Sequence, residues 1–208
     1  LSVKQTSAIA QRLYQGMDIG GGQPVGLISY MRTDSTNLSK DALSDISSYL
    51  KKNHPTLAED QTRIYKGKSK NAQEAHEAIR PTHIENIDAG GNELEKKLYK
   101  LIWKRTVASQ MSAAKISINN IYVEITHKKK IPYFFMATNE SIIFDGYLKV
   151  YNLKSEDDEL QRANTNFAKG EELLYEEITG KEEFPKSIGR FNEASLVKKL
   201  EDLGIGRP

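Results

Sequence analysis

The chain has 208 residues, a formal net charge of +2, 28% charged residues and no cysteine. Such a chain can bury one good core or two modest ones, and it cannot form disulfides or thiolate metal sites. The small net charge excludes a protein that coats DNA by bulk electrostatics. No apolar run approaches the ~20 residues of a bilayer span and no secretory leader is visible, so we expect a cytoplasmic protein without a membrane anchor.

The first predicted element is a helix that begins at Ser2 and runs to about Gln15. The Ser2 hydroxyl can cap Gln5 in a capping box, and Gly16 ends the helix. A glycine-rich connector follows, and the apolar residues 25–30 then predict a short strand.

Two further helices are predicted in the α-rich part. One begins after an N-cap at Ser39 and ends before residues 53–55, and the other covers about Glu93 to Gln110. Trp103 in the second of these is interpreted as a packing residue. The expected core faces are Ala42, Ile46, Tyr49 and Leu50 in one helix, and Leu94, Leu98, Leu101, Ile102 and Ala108 in the other.

From residue 115 the apolar period changes from helical to two, which predicts strands. Ile116 and Ile118 alternate on one parity and the residues from Ile121 on the other, so we expect a bulge between them. Further strands are predicted at 133–137, 141–150 and 172–178, before a last helix from Asn192 to a stop at Gly204. The fold class is α+β, with an α-rich domain at 1–114 and a β-rich domain at 115–208 that ends in a helix.

Charge is unevenly distributed along the chain. Basic residues gather in two clusters, Arg63, Lys66, Lys68 and Lys70, and His127, Lys128, Lys129 and Lys130. A locally basic track on a nearly neutral body is typical of a protein that grips a short nucleic-acid segment. The alternative is that both clusters are solvated loops, and for residues 128–130 this alternative is favoured.

Tyr30 and Arg32 are the first candidates for chemistry. Two positions apart in a strand, they would share one face, so a bound phosphodiester would meet a phenol and a guanidinium together. A tyrosine attacks phosphorus only where cationic groups stabilise the phenolate and the transition state, and the planar guanidinium can donate two hydrogen bonds to phosphate. These two residues alone favour the plainer interpretation, a strand that ends in a polar turn.

Longer stretches of the sequence resemble bacterial type IA DNA topoisomerases. Four blocks occur in the family's order and span nearly the whole chain: residues 2–14, 26–39, 74–81 and 191–208. The second block includes Tyr30-Met31-Arg32-Thr33-Asp34-Ser35 and the third is Glu74-Ala75-His76-Glu77-Ala78-Ile79-Arg80-Pro81. Met31 is similar to the topoisomerase I branch, because the topoisomerase III branch usually has proline there.

The resemblance implies an isomerase that breaks and rejoins one DNA strand. Tyr30 would be the nucleophile that keeps the 5′-phosphate, Arg32 would hold the scissile phosphate, and His76 would donate a second hydrogen bond to the backbone. Arg207 resembles a residue that contacts DNA in the family. Bond energy would be conserved in the phosphotyrosine, so no ATP is expected.

The resemblance also implies that parts of the family's enzyme lie outside this chain. The acidic Asp-x-Asp site of the Toprim domain and the Zn-ribbon region are not found in the sequence, so no residue is assigned as a metal ligand and Mg²⁺ would bind elsewhere in the intact enzyme. We expect a central fragment of a monomeric enzyme whose partner is DNA, preferentially single-stranded, with the strands of this chain forming part of a connecting arch. The alternatives are a non-catalytic module that binds single-stranded DNA and a purely structural gate domain.

Overall fold

The structure is a computed structural model, and it describes residues 1–18, 24–65, 76–125, 133–151, 167–185 and 187–205. The chain forms two compact units, one from Leu1–Ser112 with Arg190–Pro208 and one from Ala113–Gly189. This differs from the division at 114/115, which assigned the last helix to the β-rich domain. That helix groups with the first unit, where the Glu193 carboxylate accepts a hydrogen bond from the Val3 amide at 3.2 Å.

The described elements are helices, a 3₁₀ turn and two antiparallel pairs of strands. In the first part are helix α1 at Val3–Gln15, strands β1 at Met17–Asp18 and β2 at Pro24–Val25, helix α2 at Lys40–Asn53, a 3₁₀ turn at Pro55–Leu57 and helix α3 at Glu93–Ser109. They are followed by strands β3 at Lys115–Glu124 and β4 at Phe134–Phe144, the short helix α4 at Leu148–Tyr151 and helix α5 at Glu193–Asp202. None of the helices in the described ranges has the length and apolar character needed to cross a bilayer.

The predicted helix starts are confirmed by their caps. The Ser2 hydroxyl accepts from the Gln5 amide at 3.2 Å while the Gln5 side chain accepts from the Ser2 amide at 3.0 Å. Ser39 caps α2 through the Ala42 amide, and Asn192 caps α5 through the Ser195 amide. Each cap satisfies an amide that the helix itself leaves without a partner.

The core of the first unit is formed by buried residues of α1, α2 and α3, together with Leu27, Ile28, Leu57, Ile84 and Met111. The predicted face of α2 is buried as expected, and Trp103 of α3 packs edge-to-face on Tyr49 with ring centroids 5.9 Å apart. The prediction for α3 was wrong in part, because Leu94 and Leu101 are exposed. Leu98 and Ala108 are buried as predicted, and the buried face of α3 also includes Glu95, Tyr99, Trp103, Thr106 and Val107. Because the charged residue Glu95 occupies a buried position on this face, the apolar pattern of the sequence does not reveal the whole face.

The buried carboxylate of Glu95 joins α1 to α3. Only 2% of Glu95 is exposed, and it accepts hydrogen bonds from the Arg12 guanidinium at 2.7 Å and from the amides of Gly91 and Asn92 at 3.1 and 3.2 Å. Burial raises the pKa of Glu95, but these hydrogen bonds and the charge of Arg12 outweigh it and lower the pKa below its ordinary value. The ionised form therefore stabilises the fold at neutral pH.

The second unit contains an antiparallel hairpin, in which β3 and β4 pair from Lys115 with Phe144 to Glu124 with Phe134. The expected bulge between Ile118 and Ile121 is wrong, since the register shift lies at Lys115/Ile116. Most side chains of this two-stranded ribbon are exposed on both faces, so a change of apolar parity requires no change of register.

The strands predicted after the hairpin also need correction. Predicted strands 133–137 and 141–150 are one strand that ends at Phe144, and residues 172–178 form no strand. The end of the strand is set at Gly146, which has φ +51° and lies where a Cβ would be 2.5 Å from the backbone of Ala113. Only glycine fits this turn without strain.

Replacing Glu95 by glutamine tests the buried carboxylate. We expect Glu95→Gln to lower the free energy of unfolding by about 1–3 kcal/mol at neutral pH, because a charge-assisted hydrogen bond to Arg12 is lost. The folded pKa is depressed, so the wild-type advantage is present above the ordinary pKa of 4.5 and is lost as the pH falls through the folded pKa.

Urea unfolding followed by fluorescence of Trp103, the single tryptophan, measures the stability of this unit. Glu93→Gln is the matched control, because Glu93 is 93% exposed and lies 3.8 Å from Lys96. It should leave stability unchanged. Equal stability of Glu95→Gln and wild type at neutral pH would contradict the assigned role.

Candidate active site

Two segments far apart in sequence pair beside Tyr30. Ile28 forms an isolated antiparallel bridge with Pro81, and on either side the Ser29 amide donates to the Arg80 carbonyl at 2.8 Å and the Thr82 amide to the Leu27 carbonyl at 3.0 Å. The expected strand over residues 25–30 is therefore wrong as a regular element: β2 ends at Val25. Pro81 has no amide hydrogen to donate, so a regular ladder cannot extend through it.

Hydroxyl groups strengthen this pairing. The Ser29 hydroxyl donates to the Ala78 carbonyl at 2.8 Å and accepts from the Arg80 amide at 2.9 Å. The Thr82 hydroxyl donates to the Gly26 carbonyl at 2.6 Å. The segment 26–29 that leads into Tyr30 is thus fixed against the segment 78–82 that follows His76.

Glu77 attaches the same segment to the start of α2. Its carboxylate accepts two hydrogen bonds from the Arg80 guanidinium, both at 2.9 Å, and one from the Ser39 amide at 3.2 Å. Burial raises the pKa of Glu77, but the bonds and charge of Arg80 and the Ser39 amide produce a net lowering. The Ala78 amide also donates to the Asn37 carbonyl at 2.7 Å. His76 therefore begins a segment that is held at several points.

The pairing brings Tyr30 and His76 together. The ring centroids of Tyr30 and His76 are 4.9 Å apart, with an interplanar angle of 44°. The ring of Tyr14 also contacts that of Tyr30, with centroids 5.3 Å apart and an interplanar angle of 69°. Tyr30 and His76 are both half-buried. Within the described ranges neither the Tyr30 hydroxyl nor the buried Nδ1 of His76 has a hydrogen-bond partner. A phenol and an imidazole thus lie in contact, and the buried Nδ1 of the imidazole is left without a partner among the described residues.

The cationic candidates have different surroundings. Arg32 is exposed two residues after Tyr30, and it forms no ion pair or hydrogen bond with the residues that the structure describes. Arg63, from the first basic cluster, is paired with Glu59. Arg207, the lysines at 66, 68 and 70 and the cluster at 127–130 lie outside the described residues.

Two contributors to the site, Tyr14 and Ser29, were not predicted from the sequence. Tyr14 lies in the block at residues 2–14 and Ser29 in the block at residues 26–39, which is the one signal that could have marked them. Tyr14 lies in the last turn of α1, and no periodicity shows that this end of the helix will contact Tyr30. In the described part of the chain no group of three or more His, Asp or Glu side chains has an arrangement suited to a metal ion.

The chain is similar to known proteins over its whole length. Residues 1–208 match the DNA topoisomerase family. The chain is 46% identical to DNA topoisomerase 1 of Rickettsia felis over 215 residues and 41% identical to DNA topoisomerase 1 of Xylella fastidiosa over 218 residues. Each alignment covers the whole of this chain, which spans 27% of the Rickettsia felis protein and 26% of the Xylella fastidiosa protein.

A solved structure shows the same fold. The structure of full-length topoisomerase I from Thermotoga maritima is similar over 100% of this chain and 32% of its own, with a TM-score of 0.69 and 33% sequence identity. Because the family match covers the whole chain, this chain belongs to the DNA topoisomerase family. The resemblance seen in the motifs is confirmed at the level of the family, and the α+β mixture of helices and an antiparallel pair of strands is confirmed by the fold.

Ser29→Ala tests whether the paired segments hold the site. The variant loses both hydroxyl bonds and leaves the Arg80 amide and Ala78 carbonyl without this partner, so we expect about 1–3 kcal/mol of lost stability. His76 should also move relative to Tyr30, and the NMR shifts of its ring protons, which the Tyr30 ring current affects, should approach those of the unfolded chain.

Ser109→Ala is the control for the loss of a serine hydroxyl. The Ser109 hydroxyl makes a local bond to the Thr106 carbonyl in α3, and alanine's higher helix propensity offsets that loss to within about 0.5 kcal/mol. If Ser29→Ala left both the unfolding free energy and the His76 shifts at wild-type values, the pairing would not be what places His76.

Proposed function

We propose that this chain is the strand-cleaving part of a bacterial type IA DNA topoisomerase, in which Tyr30 forms a transient 5′-phosphotyrosyl bond to one DNA strand. The observation that carries the proposal is the contact of the Tyr30 ring with His76, 4.9 Å between centroids, with the exposed Arg32 two residues further along the chain. Family membership supports it. The known activity of the relatives belongs to proteins about four times as long, so the activity of this chain is part of the proposal.

The reaction is a reversible transesterification. The Tyr30 oxygen loses its proton and attacks the phosphorus of a single-strand phosphodiester, so that a 5′-phosphotyrosyl ester forms. The bond from phosphorus to the 3′-oxygen breaks, and the 3′-oxygen takes up a proton and leaves as a hydroxyl. After the other strand has passed the gap, the 3′-hydroxyl attacks the same phosphorus and Tyr30 leaves. One phosphoester replaces another in each step, so supercoils relax without ATP.

Arg32 and His76 are the residues that stabilise this reaction. The Arg32 guanidinium has no internal partner among the described residues, so its donors are available to a phosphate, where they offset the charge that develops on the oxygens. His76, whose ring contacts that of Tyr30, would donate a hydrogen bond to the same phosphate or its neighbour. Arg207 is proposed as a further DNA contact on the basis of the family motif alone.

The remaining requirements of the reaction are assigned to the intact enzyme, meaning a protein of the relatives' length that contains this chain. Mg²⁺ would bind there outside residues 1–208, in a Toprim domain, and a Zn-ribbon region would follow. The preferred substrate is single-stranded DNA, the enzyme is a monomer, and the compartment is the cytoplasm. The hairpin of β3 and β4 would belong to a connecting arch.

A second candidate is a module that binds single-stranded DNA without chemistry, or a structural gate. The exposed Arg32 fits either alternative, because phosphate contacts alone require only such cations. A preformed contact between a phenol and an imidazole favours the enzymatic role, since phosphate binding alone requires no tyrosine. Covalent trapping separates the candidates, because a binding module retains no DNA after denaturation.

Tyr30→Phe in the intact enzyme gives the most direct separation. The variant keeps the ring and its contacts but lacks the nucleophilic oxygen, so we expect unchanged DNA binding and no covalent adduct on a denaturing gel. The 208-residue chain alone should not relax supercoiled plasmid in Mg²⁺. Relaxation by that chain, abolished by Tyr30→Phe, would show that no part outside it is required.

Arg32→Lys tests the phosphate clamp. Lysine keeps the charge but cannot form the planar two-bond contact, so cleavage should fall by about a hundredfold, equivalent to roughly 2–4 kcal/mol at the transition state. Equilibrium affinity for the oligonucleotide should change little. The measurement compares the rate of adduct formation with binding to the same oligonucleotide.

Arg105→Lys, at an exposed position on α3, is the matched control and should form adduct at the wild-type rate. Equal adduct rates for Arg32→Lys and wild type would show that Arg32 acts only as a diffuse charge.

A further inference from the structure

We infer that Tyr14 is a positioning residue for Tyr30, an assignment that rests on the proposed role of Tyr30 as nucleophile. The two rings meet edge-to-face, with centroids 5.3 Å apart and an interplanar angle of 69°. Tyr30 also contacts His76 at 4.9 Å, so its ring has an aromatic neighbour on each of two elements. Edge-to-face contact of this kind is directional, because the positive ring edge meets the negative face of its partner.

The backbone fixes Tyr14 close to the segment that carries Tyr30. The Leu27 amide donates to the Leu13 carbonyl at 2.8 Å, directly beside Tyr14. A Cβ on Gly26 would lie 2.8 Å from the Tyr14 carbonyl oxygen, closer than side-chain carbon atoms come in proteins. Because Gly26 has no side chain, the end of α1 can approach this segment closely, and this approach determines the position of the Tyr14 backbone.

Helix α1 is itself anchored two residues before Tyr14. Arg12 forms the ion pair with the buried Glu95 of α3 at 2.7 Å, and Leu13 is fully buried. The neighbouring residues on α1 thus fix the last helical turn to the core, and the Tyr14 ring is carried on a rigid element. Rigid support is what a positioning contact requires, since small displacements of a reacting atom are costly in rate.

The exposure of Tyr14 argues against a purely structural role. The side chain is 39% exposed, whereas Tyr99 and Trp103, which pack in the core, are 1% and 5% exposed. A ring so exposed contributes less burial than a core aromatic, while its contact with Tyr30 limits the swing of the phenol toward solvent. The other role open to an exposed aromatic is stacking on a DNA base, which would change affinity instead of rate.

The test separates these roles in the intact enzyme with a single-stranded oligonucleotide. Adduct formation is measured at saturating oligonucleotide, and the dissociation constant is measured separately for wild type, Tyr14→Phe and Tyr14→Leu. We expect Tyr14→Leu to form adduct about tenfold more slowly with unchanged affinity, because the edge-to-face contact is lost. Tyr14→Phe keeps the ring and should restore the wild-type rate.

Tyr49→Leu is the control for loss of an aromatic pair, since Tyr49 packs edge-to-face on Trp103 in the core. It should reduce stability while the folded enzyme retains the wild-type rate. A wild-type rate for Tyr14→Leu at saturation, or a loss confined to affinity, would overturn the positioning role and leave the nucleophile assignment intact. Absence of adduct from the wild-type enzyme would overturn the proposed function and this inference together.

Discussion

The candidate site depends on the pairing of residues 26–29 with residues 78–82. Two backbone hydrogen bonds and three hydroxyl hydrogen bonds close a loop of about fifty residues, and they leave Tyr30 and His76 at adjoining ends of the paired segments. Closing a loop of this length has an entropic cost that rises only slowly with length. A few good hydrogen bonds in a partly buried setting, together with the buried side chains of Leu27 and Ile28, are sufficient to hold it.

Charged groups extend this constraint to the surrounding helices. Glu77, paired with Arg80, ties the second segment to the start of α2 through the Ser39 amide, and Glu95 with Arg12 ties α1 to α3. Both carboxylates have lowered pKa values because cations and amides surround them. The contributions of both pairs are present at neutral pH and are lost as the pH falls through the folded pKa values.

Local chemistry explains which elements could be predicted from the sequence. The capped starts of α1, α2 and α5 follow from a few neighbouring residues, and the apolar face of α2 from simple periodicity. The face of α3 was missed in part because the buried Glu95 is charged, and the hairpin register because its residues are exposed on both faces. In these cases burial is decided by partners that are distant in sequence.

The candidate site, like the fold, could be predicted from the sequence only in part. The family motifs marked Tyr30, Arg32 and His76 as candidate site residues. The hydrogen bonds of Ser29 and the contact of Tyr14 with Tyr30 could not be predicted from the sequence. An isolated bridge between Ile28 and Pro81 has no strand pattern, so nothing in the sequence alone brings its two segments together. The contact between Tyr30 and His76 is a product of that long-range pairing.

The most direct test of the account is to identify the residue that carries DNA. The intact enzyme is incubated with a single-stranded oligonucleotide, stopped with denaturant and digested, and the peptides are analysed by mass spectrometry. The chain contains ten tyrosines, so the position of the nucleotide is informative. The account predicts a 5′-phosphonucleotide on Tyr30 alone. A nucleotide on another tyrosine, or trapped DNA linked through its 3′ end, would contradict it.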